Sequence, residues 1–184
     1  MGRAKGSNMH YMRSFVLQRW GADAMERVLA ELEPHEAAEV RALVPMTWHD
    51  LALQHRLLRT IDRVLGDGDG SLVPAIGRYE ADRDLKIVIR LVLRLANPAF
   101  VLEKAGEYWR RFYDQGRWEV TRHSPTRATG VLSGVAPFDP FFALYLHAYV
   151  HRLFELVGAR DLKTTYSLDE SVDPPVLRID GEWR

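Results

Sequence analysis

The sequence predicts an α+β fold in which a helical N-terminal half precedes a small antiparallel sheet laid out strand-strand-helix-strand-strand. Three observations carry that prediction. Apolar residues recur at helical period from Tyr11 to about Gly116; short β-branched runs separated by turn residues then take over; and one aromatic helix, opened by Asp139-Pro140, interrupts those runs. No internal repeat or long low-complexity linker divides the 184 residues, which predicts a single domain.

In chain order, Tyr11 to Trp20 forms a helix stopped by Gly21, and Asp23 caps a second helix running to about Leu32. Pro34 opens a short third helix behind Glu33, and Pro45 closes it. Thr47-Trp48-His49-Asp50 reads as a partial capping box for a long helix carrying Leu51, Leu53, Leu57, Leu58, Ile61, Val64 and Leu65. Gly66-Asp67-Gly68-Asp69-Gly70 lacks the Glu at the twelfth position of a calcium loop, since counting from Asp67 reaches Arg78. It predicts a flexible turn whose Ser71 caps a helix from about Leu72 to Ala81, with Gly77 softening that helix or admitting a neighbouring backbone.

Asp84 to Ala96 fits two periods: Lys86, Arg90 and Arg94 recur like one face of a helix, while Ile87, Ile89, Leu91, Leu93 and Leu95 alternate like a strand. A cap at Asp84 favours the helix, and its basic line reads as an anion site or a single wet stripe. Asn97-Pro98 then opens, and Gly116 ends, a helix whose stripe Val101, Leu102, Ala105, Tyr108, Trp109, Phe112 and Tyr113 demands burial. Arg117 to Arg122 and Ala128 to Val135 form a strand pair around Ser124-Pro125. The Asp139-Pro140 helix runs to Gly158, and Leu162 to Leu168 and Pro175 to Trp183 complete the sheet.

Composition narrows the function classes. Twenty-five basic and twenty-five acidic residues cancel, leaving no overall field for nucleic acid or an anionic membrane surface. The absence of cysteine removes disulfides, thiol chemistry and cysteine-held metals, and a cytoplasmic protein is expected. No apolar run is long enough to span a bilayer, and the polar opening Met1 to Gly6 carries no secretory signal, so no membrane span is expected.

No catalytic grammar emerges, and the protein is expected not to be an enzyme. Ser124, Ser133 and Ser167 lie in no nucleophile elbow, and the glycine pairs match neither phosphate loop nor dinucleotide fingerprint. His147 and His151 have metal-ligand spacing, but they project away from the apolar face Phe142, Leu146, Tyr149, Leu153 and Val157, and neither a third ligand nor an intervening carboxylate accompanies them. They are expected to face solvent, with no metal and no cofactor. Carboxylate pairs such as Glu31 with Glu33, and Asp82 with Asp84, read as charged helix ends.

The aromatic residues are more informative. Two long aromatic helices flanking short strands enclose either an apolar cavity or a solid core. The first alternative predicts a non-enzymatic sensing or carrier domain for a hydrophobic small molecule, with Trp109, Phe112, Phe142, Leu146 and Tyr149 as the ligand-binding candidates. The second predicts an interaction or scaffold module. With no net field, association through apolar patches predicts a homodimer.

Thr47-Trp48, Gly66 to Asp69, Ile76-Gly77-Arg78, Asn97-Pro98, the run from Tyr108 to Gly116 and the terminal Gly181-Glu182-Trp183 together resemble a bacterial family best represented in myxobacteria. That family in turn resembles, distantly, the superfamily of 4-vinyl-reductase domains, TRAPP vesicle-tethering subunits and heme nitric-oxide-binding domains. The resemblance implies a helical half followed by a small antiparallel sheet, often dimeric, often around an apolar ligand space. It carries no specific chemistry here: the heme motif Tyr-x-Ser-x-Arg does not occur, with only a loose echo at Arg122 to Arg127, and the cysteines that serve metal binding or acylation elsewhere in the superfamily are missing.

Overall fold

The computed structural model describes residues 2–92 and 97–184, with side chains for all of these except 85–92. The order of elements is β1 (Arg3–Lys5), α1 (Gly6–Ala30), α2 (Pro34–Arg41), β2 (Trp48–Asp50), α3 (Leu51–Leu65), α4 (Val73–Val92), α5 (Pro98–Phe112), β3 (Arg117–Ser124), β4 (Arg127–Ser133), α6 (Pro140–Leu156), β5 (Lys163–Asp169) and β6 (Val176–Glu182). The fold is α+β, with the strand-strand-helix-strand-strand order in its C-terminal half. Its four-stranded antiparallel sheet has the order β3-β4-β6-β5.

Local grammar accounts for most boundaries. Gly21, at φ +83°, breaks α1 where the sequence places the break. Asn97 accepts a hydrogen bond from the Phe100 amide and Asp139 accepts one from the Phe141 amide, each followed by proline in the first turn. Gly158, at φ +93°, follows α6.

A second, two-stranded sheet, beyond the one the sequence predicts, pairs β1 with β2 from Arg3↔Asp50 to Lys5↔Trp48. Four expectations need correction. Asp50, and not Thr47, caps α3, accepting from the Ala52 amide at 2.9 Å, while the Thr47 hydroxyl donates to the Val44 carbonyl. Ser71 does not cap the next helix, which begins two residues later at Val73; the turn is held instead by the wholly buried Asp62 carboxylate, accepting from the amides of Gly70 and Leu72 at 2.8 and 2.9 Å. No break separates the helices expected on either side of Asp84, because α4 runs through it to Val92. That assigns 84–92 to helix; 93–96 and the side chains of Lys86, Arg90 and Arg94 lie outside what is described. Finally α5 stops at Phe112: Tyr113 is already extended and bridges Ala4, and Gly116, at φ +87°, shapes the turn into β3 instead of ending the helix.

The main core lies where α1, α3, α4 and α6 meet, around Met9, Met12, Leu57, Ile61, Ile76 and Phe142, all fully buried. A smaller cluster of Ala128, Phe154 and Trp183 joins α6 to the sheet. No described helix is long and apolar enough to cross a membrane.

Candidate functional site

Between the two clusters lies a cavity of about 200 Å³. One wall is the stripe from Val101 to Tyr113, six members on α5 and Tyr113 just past it, and all seven face the cavity. The opposite wall comes from α6 through Tyr145, Leu146, Tyr149 and Leu153, and the sheet contributes Trp118, Ala128 and Ile179, with Trp183 just past β6. Gly130 lets one wall form: a β-carbon there would sit 2.8 Å from the Trp118 ring, so the indole lies flat across the strand. Phe100, 40% exposed, brings the wall to the surface.

Four of the five candidates, Trp109, Phe112, Leu146 and Tyr149, line this space. Trp109 is held rigidly, stacked on Tyr113 at 4.0 Å and donating from its indole nitrogen to the Gln115 carbonyl at 2.7 Å. Phe142 is not on the wall. It lies in the main core with ring centroids 4.7 Å from His55, 5.6 Å from Tyr113 and 5.8 Å from Phe138. The reason is tertiary: Phe142 sits in the first turn of α6, where its ring meets His55 of α3.

The other face of α6 also departs from expectation. His147 and His151 do not point into open solvent, because β5 lies across them. Both rings meet the Thr164 hydroxyl, one nitrogen from each, His147 Nε2 and His151 Nδ1, at 2.8 Å, and the His147 ring lies 4.9 Å from Tyr166. Burial, and then the charge of His151, lower the pKa of His147.

Sequence reasoning missed the polar end of the cavity. Glu80 and Asp84, one turn apart on α4, line it together with Asn8 of α1. All three are buried, at 3%, 7% and 1% exposure. The Tyr145 hydroxyl donates to Glu80 Oε2. Those of Tyr149 and Tyr108 reach Asp84 Oδ2 at 2.9 and 3.0 Å and lie 3.0 Å from each other. Burial pushes the Glu80 carboxyl well above the usual range, the nearby Asp84 adds to this, and the Tyr145 bond opposes it. Burial likewise raises Asp84 against the hydrogen bonds of its tyrosines. The tyrosines are raised in turn, by burial first and then by the adjacent acids, so their hydroxyls stay protonated. A signal existed in the chain: Ile76, Glu80 and Asp84 recur every four residues, which places both acids on the buried face that Ile76 marks.

No family model matches the sequence, and no curated protein matches it. Solved structures do. An Fe(II) unliganded H-NOX protein from K. algicida aligns with a TM-score of 0.72 at 10% identity over 98% of this chain and 96% of that one. An oxygen-binding H-NOX domain related to soluble guanylate cyclases aligns with a TM-score of 0.71, again at 10% identity, over 98% and 95%. The residues of the loose motif echo, Arg122 to Arg127, form the β3–β4 turn and touch no part of the cavity. At such identities the likeness establishes the fold alone, which this chain shares with these H-NOX structures.

Proposed function

We propose that the chain is a non-enzymatic sensing or carrier domain whose ligand is a small, largely apolar molecule held between α5, α6 and the sheet. The observation that carries this reading is the cavity itself, of about 200 Å³, walled by aromatic and aliphatic side chains and closed at one end by buried polar groups. The H-NOX neighbours are consistent with it, since one of them binds oxygen. Trp109, Phe112, Leu146 and Tyr149 are the binding residues in this reading.

Heme does not fit these walls. Among the described residues no imidazole lines the cavity, the chain has no cysteine, and 93–96 contain neither residue type. The tyrosine hydroxyls are held protonated beside Glu80 and Asp84, which makes them poor axial ligands. The same two acids would oppose a porphyrin's carboxylates, against a single described cation on the wall, Lys104, itself paired with Glu107.

The test is solvent extraction and native mass spectrometry of the purified protein, with a thermal-shift series of small apolar compounds. A bound compound, or a saturable rise in Tm by mass action, is expected. A clean apo mass with no stabilising compound would overturn the reading.

A further inference from the structure

We propose that the cavity takes an apolar molecule carrying one uncharged carbonyl or hydroxyl oxygen, received by the Asn8 amide, and turns away the carboxylate of the same chain length. The proposal rests on the reading of the cavity as a ligand site and names the chemistry of what enters it.

The donor comes first. Asn8 is 1% exposed, lines the cavity, and its Nδ2 meets no acceptor in full hydrogen-bond geometry; the nearby Tyr113 hydroxyl already accepts from Gln54 Nε2 at 3.2 Å. Its Oδ1 is turned to the Ser7 hydroxyl at 3.3 Å, which leaves the amino group as the free end. A buried N–H without an acceptor is costly, and a ligand oxygen arriving beside it removes that cost.

The acids set the sign. Glu80 and Asp84 stand on the same wall, and their bonding oxygens already accept from Tyr145, Tyr149 and Tyr108. No described cation lies at that end, so a third carboxyl group would have to shed its own charge or face two acids in a medium of low dielectric. The space also limits size: a cavity of roughly 150 Å³ holds benzene, so one of about 200 Å³ suits a slightly larger molecule.

Trp109 and Trp118 on the wall supply the readout. Their fluorescence is titrated at neutral pH with three eight-carbon probes: 2-octanone, 1-octanol and octanoate. The ketone and alcohol are expected to bind about tenfold or more tighter than octanoate, and Asn8→Leu to weaken the ketone and alcohol by a similar factor. Octanoate binding as tightly as the ketone would overturn the proposal while leaving the cavity a ligand site. Silence from all three probes, with no shift in Tm, would remove the ligand reading and this proposal together. The wild-type series decides the matter even if Asn8→Leu does not fold.

Discussion

A side chain on Gly77 would run into the carbonyl oxygen of Tyr145, and its β-carbon would also lie 3.2 Å from the Tyr149 amide. Helices α4 and α6 therefore meet backbone to backbone at this level, which carries Glu80 and Asp84 to the tyrosines of α6. Gly77→Ala has no side-chain end to swing aside. It should cost about 1 to 3 kcal/mol in urea denaturation even though alanine favours helix, because the overlap is with backbone.

Phe142 and Phe112 differ in what surrounds them, and truncation should report it. Phe142→Ala removes a fully buried ring from the main core and should cost about 3 to 5 kcal/mol. Phe112→Ala removes a partly exposed ring from the wall of an existing space, with fewer partners lost, and should cost nearer 1 to 2 kcal/mol. Equal losses would mean that the wall is packed as densely as the core.

Glu80 predicts a rise in stability on substitution at high pH. A carboxyl whose folded pKa is raised contributes stability that is present below its unfolded value, about 4.3, and lost as pH rises through the folded value. Glu80→Gln keeps an acceptor for the Tyr145 hydroxyl and removes the ionisation. Its advantage over wild type should be near zero at about pH 4 and exceed about 1 kcal/mol at about pH 8. The groups facing it are Asp84, Tyr145, Tyr113, Tyr149, Tyr108 and Tyr11, so the slope belongs to the acid pair as a unit.

His55 acts with the opposite sign. Burial against Phe142 lowers its pKa from 6.5 to about 4, so its contribution is present above the unfolded value and lost as pH falls between the two. The full window corresponds to about 3 kcal/mol. Because Glu80 and Asp84 gain stability in the same direction of pH, the comparison is wild type against His55→Leu. The variant should lose less on acidification from neutrality to about pH 4.

Much of the fold was legible because it is locally encoded. Caps such as Asn97 and Asp139, first-turn prolines and the break at Gly21 act within a few residues, and the change from helical to alternating period after Gly116 announced the sheet. The aromatic stripe of α5 could be read as a buried face, and it became one wall of the cavity. What periodicity could not say was whether that face meets solid packing or open space, since either removes it from water equally well.

Tertiary structure decided the rest. The strand β1 exists only because β2, more than forty residues later, pairs with it, and the loop at Gly66 to Gly70 is ordered by Asp62 from the helix before it. Asp84 reads as a cap in isolation, yet the tyrosine hydroxyls of α5 and α6 satisfy it inside a continuous helix. His147 and His151 look solvent-facing until β5 covers them. In each case the deciding partner is distant in sequence. A buried polar group takes whatever hydrogen bond the fold brings to it, and a single helix face cannot reveal which element will arrive.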